Sequence, residues 1–166
     1  MTDLKGKWAL VTGSNRGIGY RISKFLASKG CNLILHSRSR EHTKALLEEV
    51  RALGVEAFDV AAELNDPAQV SEMIKTINAS GKNVDVLFNN AGVQVAYRTD
   101  YYKTPVEDYV KSFYINTIAP MMLCYEYIPK MIERGFGRVI NTSSGIRNEP
   151  EQAGYSASKA ALDKVS

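Results

Sequence analysis

WALVTGSNRGIG, residues Trp8 to Gly19, joins a short apolar run to three glycines and then to a helical pattern. Trp8 to Thr12 reads as a strand, and Ile18, Ile22, Phe25 and Leu26 share one face at helical spacing, a face expected to cover a sheet. Between them Gly13, Gly17 and Gly19 form G-x-x-x-G-x-G. Glycines there permit a tight turn and a close backbone approach to a pyrophosphate, whose charge the free N–H groups and the positive end of the helix would hold. Three glycines at fixed spacing arise by chance in roughly one chain of this length in twenty. Their weight comes from standing between a strand and a helix at the head of an α/β series. Gly13, Ser14, Asn15, Arg16, Gly17, Ile18 and Gly19 are therefore candidate dinucleotide contacts.

Moving outward, Asn32 to Leu35, Val55 to Phe58, Val84 to Phe88 and Arg138 to Asn141 also read as strands. Helical spacing separates them: Leu46, Val50 and Leu53, then Val70, Met73, Ile74 and Ile77. A longer helix is expected from about Pro105 to Glu133, with Gly135 and Gly137 beyond its end, and a final one from near Gln152. The alternation predicts one α/β domain over residues 1–166, a Rossmann-type doubly wound parallel sheet in the order 3-2-1-4-5 with helices on both faces. Ligands of such sheets bind beyond the carboxyl ends of the strands. Those ends carry Gly13 to Gly19, Ser37 and Arg38, Asp59, Asn89 to Gly92, and Ser143 and Ser144.

Composition narrows the function classes. Of 166 residues, 45% are hydrophobic and 23% charged, the ordinary range of a globular protein. A net charge of +3, with no basic stripe, argues against nucleic acid as a partner. No run approaches the roughly 18 apolar residues that span a bilayer, and Met1 to Lys7 lack a signal segment, so a cytoplasmic protein without a membrane partner is expected. The N-x-S/T matches at Asn78 and Asn141 are discounted with the secretory route. Cys31 and Cys124 read as buried free thiols, and His36 and His42 belong to no metal-ligand constellation, so no metal is expected.

The glycine loop, N-N-A-G at Asn89 to Gly92, Ser144, and Tyr155 with Lys159 in Y-x-x-x-K together resemble the short-chain dehydrogenase/reductase family, near its 3-oxoacyl-carrier-protein reductases. The resemblance runs from Lys5 onward. It implies an oxidoreductase interconverting a small-molecule carbonyl and a secondary alcohol, with Asn116, Ser144, Tyr155 and Lys159 catalytic. Tyr155 would be the proton donor in reduction, and Lys159 would also bind the nicotinamide ribose. Ser144 would hydrogen-bond the substrate oxygen, and Asn116 would hold a water on the proton path. The chemistry is coherent: ketone reduction needs a hydride and a proton. An ammonium about 4 Å from a phenolate contributes roughly 4 kcal/mol at an effective dielectric near 20. Tyr20 and Lys24 share the spacing, but lie off the apolar stripe of their helix and are expected to face solvent. The loop from Ser144 to Tyr155 is shorter than is commonest in the family, which leaves Ser143 as the alternative.

His36, Ser37 and Arg38 follow the second strand with no acid before Glu41. A carboxylate there would select NAD, whereas Arg38, with Arg16 from the glycine loop, suits the phosphate of NADP. NADP is expected and NAD is the lesser choice. By resemblance Asn90, Ala91 and Gly92 line the cofactor cleft, and Asp59 and Val60 stand beside the adenine, although Asp59 also fits a turn or cap. Tyr97, Tyr101 and Tyr102 border the substrate or pack on the long helix. Family members continue for two more strands and a substrate-closing segment, so a chain truncated at its C-terminus is expected, with an open edge at the fifth strand. The helices from Pro105 and Gln152 resemble the family's oligomer-forming pair, implying a homodimer or homotetramer. The rival readings are a dinucleotide-binding module without turnover and a methyltransferase on a related fold.

Overall fold

Four consecutive buried apolar residues make β1 (Trp8–Val11) a strand covered on both faces. The computed structural model, which describes residues 3–96, 100–145 and 150–166, pairs it in parallel with β2 (Asn32–Ser37) and β4 (Val86–Asn89). With β3 (Ala57–Ala61) and β5 (Arg138–Asn141) the order is β3-β2-β1-β4-β5, as the sequence predicts. The order reverses beside β1, which opens a crevice at the carboxyl ends of β1 and β4.

Each face of the sheet has its own core. On one, Ala9, Val11, Leu33, Leu35 and Val86 meet Leu26 and Ala27 of α1 (Gly17–Ser28) and Leu46 and Val50 of α2 (Lys44–Arg51). On the other, Leu10, Ile34, Val60 and Leu87 meet α3 (Pro67–Ala79) and the later helix α5 (Ala119–Glu133) through Val70, Met73, Leu123 and Tyr127. The start of α3 is fixed by Asp66, whose carboxylate accepts from Ala68 N at 2.9 Å and Gln69 N at 3.3 Å, with Pro67 at the first helical position.

The long helix expected from Pro105 is one helical path with an inserted turn. α4 (Val106–Phe113) passes through a π-helical turn, Tyr114–Ile118, into α5, and α6 (Ala153–Val165) packs against α4 and that turn. π-turns inside helices often mark functional positions, and this one contains Asn116.

Two expectations about α1 are corrected. Ile18 is 63% and Phe25 61% exposed, while Gly19, Ser23, Leu26 and Ala27 are buried. The helix lies mainly over β1 and β2, and its Ile22–Phe25 edge borders an open apolar groove of about 580 Å³ formed with Leu4, Val86, Phe88 and Ile140. Tyr20 and Lys24 do not face solvent freely. Both donate to Glu49 of α2, at 2.5 Å and 2.7 Å, and Tyr20 packs against the core between the two helices. β5 is an edge of the sheet, with Arg138 and Ile140 exposed. Among the described residues no helix is long and apolar enough to cross a membrane.

Candidate functional site

The glycine loop is shaped by what surrounds it. Gly13 has φ +65° and Gly17 φ +56°, a left-handed conformation that side chains rarely adopt. A Cβ on Gly13 would lie 2.9 Å from Ala91 Cα, and one on Gly19 would lie 2.2 Å from the Gly13 carbonyl oxygen. Gly19 is thus a packing glycine, and the backbone of the loop stays bare where Asn15 to Ile18 face the crevice. No side chain caps the first turn of α1, so its amides are left for an anion. Ser14 departs from its expected role. Its N–H and Oγ both donate to the His36 carbonyl, at 2.9 and 3.1 Å, and it is wholly buried away from the crevice.

Asn89 to Gly92 lock this loop to β4. Thr12 Oγ1 accepts from the N–H groups of Asn90 and Ala91, both at 3.0 Å, and Asn90 Nδ2 donates to the carbonyls of Thr12 and Gly13. Asn89 Nδ2 donates to Asn141 Oδ1 at 2.8 Å, tying the end of β4 to that of β5. Asn90, Ala91 and Gly92 all line a crevice of about 1060 Å³.

Arg16, Ser37 and Arg38 line the same crevice, with both arginines exposed. Asp59 and Val60 do not. They lie inside β3, which ends at Ala61 instead of Phe58, and Asp59 Oδ2 accepts from Thr43 Oγ1 at 2.9 Å while Val60 is in the core. Glu63 and Leu64, just past the strand, border the crevice in their place. Counting backward from the Asp66-Pro67 helix start, instead of forward from the apolar run, would have found them.

His36 is a further residue that the strand pattern hid. It accepts the Gly13 N–H at Nδ1, 3.2 Å away, which leaves the proton on Nε2 to be donated to Ala62 O at 3.1 Å. Burial pushes its pKa down to about 4, so the folded ring is neutral where an unfolded one, near 6.5, begins to protonate. The unfolded chain binds more protons in that window, so this contribution to stability is intact above pH 6.5. It falls away toward pH 4, a loss of roughly 3 kcal/mol. Urea midpoints at pH 7.5 and 4.5 should differ more for the natural chain than for His36→Asn; equal differences would refute this.

At the other end of the crevice, Lys159 is 4% exposed and its Nζ donates to Thr142 O at 2.5 Å. A Cβ on Gly92 would lie 3.6 Å from that Nζ and 3.3 Å from Asn116 Oδ1, so the ammonium and the amide sit directly behind the crevice wall. Burial lowers the Lys159 pKa, and the Asp163 carboxylate opposes that shift. Asn116 is fully buried: Oδ1 accepts from Val93 N at 2.9 Å, and Nδ2 donates to Val93 O and Ser158 Oγ, each at 3.0 Å. Its side chain therefore binds α6 to the loop after β4. Tyr155, half-buried, lies one helical turn before Lys159 on α6. Ser144, half-buried, and Ser143, exposed, follow β5. Tyr102 is exposed, while Tyr97 and the Tyr101 side chain lie outside the described residues.

The sheet order and the crevice at its reversal are those of a Rossmann fold, which solved structures share. The chain belongs to the short-chain dehydrogenase family of oxidoreductases, whose model matches residues 7–166. It is 36% identical over 161 residues to a 3-oxoacyl-[acyl-carrier-protein] reductase of Staphylococcus epidermidis, covering 94% of this chain and 64% of that protein. A metagenomic short-chain oxidoreductase solved in complex with NADP superposes with a TM-score of 0.91 at 31% identity, over 99% of this chain and 75% of that one. An NAD+-bound xylitol dehydrogenase superposes with a TM-score of 0.89 at 29% identity, over 99% and 64%. The chain spans about half the length of other curated relatives, 49% to 56%.

Proposed function

We propose that the crevice holds NADP(H) and that the protein interconverts a carbonyl and a secondary alcohol. One observation carries this reading: the buried Lys159 ammonium stands against Thr142 and Gly92, at one end of the crevice whose other end is the glycine loop. The residues fit a dinucleotide. Gly13 and Gly17, both left-handed, line the crevice without side chains, so bare backbone faces a diphosphate; Arg16 and Arg38 offer two guanidinium groups to a ribose phosphate. Glu63 and Leu64 border the adenine in this reading, with Asn90, Ala91 and Gly92 along the cleft. An NADP-bound short-chain oxidoreductase and an NADP-bound 3-oxoacyl-(acyl-carrier-protein) reductase among the structural relatives support the same choice.

When bound, the nicotinamide supplies the hydride in reduction and accepts it in oxidation. The proton is the task of this chain's own side chains. Tyr155 gives it to the carbonyl oxygen, or removes it from the alcohol, while Ser144 holds that oxygen by a hydrogen bond. Lys159 supports the phenolate form by its charge and holds the nicotinamide ribose. Asn116 fixes the Lys159 helix against the loop after β4 through its side chain and holds a water on the proton path. Exposed Ile118 at the end of the π-turn and Tyr125, Ile128 and Ile132 on α5 offer apolar surface for a homo-oligomer.

The cofactor choice is tested with Arg38→Asp. Removing a charge-assisted contact and adding a repelling carboxylate should weaken NADPH binding by roughly 10- to 100-fold and leave NADH binding nearly unchanged. Fluorescence titration with both cofactors checks this. An equal loss for the two would refute a phosphate-binding role.

A further inference from the structure

His36 is 2% exposed, borders the crevice, and has no part in the proposed chemistry. It links two segments that the sheet alone does not. Its ring reaches the Gly13 N–H through Nδ1 and the Ala62 carbonyl through Nε2. Its own carbonyl receives both polar groups of Ser14. The Gly13 N–H is thereby turned inward, while the Gly13 oxygen is held by Asn90 Nδ2 at 3.3 Å. Gly13 is thus held through the peptide groups on both its sides, in a backbone conformation only glycine adopts readily. Ala62 immediately precedes Glu63 and Leu64, the residues at the far border of the crevice. One imidazole thus spans from the phosphate-facing loop to the segment after β3.

We propose that His36 is a positioning residue whose neutral, Nε2-protonated ring is a strut between the glycine loop and residues 62–64, setting the spacing between the diphosphate and adenine seats. The proposal rests on the dinucleotide reading above. Its particular content is that the acceptor offered to Gly13 matters most, because the imidazole Nδ1 is what receives that N–H. A buried N–H that loses its acceptor is costly, and the loop can recover a partner only by turning its peptide.

Three variants separate the two hydrogen bonds. His36→Asn keeps an acceptor where Nδ1 stands, His36→Gln puts its amide near Nε2 and loses that acceptor, and His36→Leu loses both. NADPH titration should show affinity falling about tenfold or more in the Gln and Leu variants, and within about threefold of the natural chain in the Asn variant. Retention in the Gln variant with loss in the Asn variant, or unchanged affinity in the Leu variant, would overturn the proposal. A natural chain that binds neither NADPH nor NADH would sink the dinucleotide reading itself and this inference with it. Nitrogen NMR of the natural chain tests the strut without any substitution. The expected result is a proton on Nε2 and a scalar coupling between Gly13 N and His36 Nδ1; a proton on Nδ1, or no coupling, overturns the assignment.

Discussion

Tyr155→Phe is expected to lower NADPH-driven reduction of a responsive ketone by roughly 10²- to 10⁴-fold, the contribution of a positioned general acid. NADPH affinity should stay within about twofold, because in the proposed reaction the phenol hydroxyl acts on the substrate oxygen and not on the diphosphate. The substitution keeps the ring and removes one oxygen at a half-buried position on the first turns of α6, so the helix and the Lys159 contact with Thr142 are preserved. Initial rates and fluorescence titrations on the same preparations separate turnover from binding. A variant with its rate intact would move the proton chemistry away from Tyr155. A parallel loss of affinity would make it a structural residue. Binding with no Tyr155-dependent turnover in either protein would favour a nucleotide-binding module.

Gly19→Ala is expected to be the most damaging single methyl group in the glycine loop. Its Cβ would stand 2.2 Å from Gly13 O and 2.6 Å from Asn90 Nδ2, so the loop and the Asn90 amide must both move. Overpacking of this kind costs about 3 kcal/mol. That corresponds to roughly a hundredfold in NADPH affinity if the native loop is lost on binding, or to a melting temperature lower by about 6–12 °C if it is lost in the free protein. Calorimetry and titration report the two shares. Gly17 has the opposite liability: nothing lies within 4 Å of an added Cβ, yet its φ of +56° strains any side chain. A Gly19→Ala protein with natural affinity and natural melting temperature would contradict the packing described here.

The sheet order was legible because each strand is a short apolar run and each connection carries helical spacing, so topology followed from alternation. The glycine loop was legible because its three glycines sit between an unmistakable strand and helix. The β3 boundary was not, because Asp59 reads as the polar residue that ends a strand. In the fold its carboxylate is satisfied by Thr43, the strand runs on to Ala61, and the crevice border moves to Glu63 and Leu64. The stripe on α1 identified an apolar face but not its cover, since periodicity cannot say that Phe25 borders an open groove beside β4 while Ile18 faces the crevice. Ser14 looked like a phosphate contact by position, but its donors belong to His36, a partner 22 residues away. His36 itself gave no sign in the sequence, because a lone histidine in a strand acquires meaning only once the fold brings Gly13 and Ala62 to its two nitrogens.

A crystal structure of the chain with NADPH tests the central claim most directly. The diphosphate should lie against the amides of Asn15 to Ile18, the ribose phosphate between Arg16 and Arg38, and the nicotinamide ribose within hydrogen-bond reach of Lys159 Nζ with the Tyr155 hydroxyl beside the ring. A dinucleotide seated away from the glycine loop, or one whose nicotinamide end points away from Lys159 and Tyr155, would contradict the account.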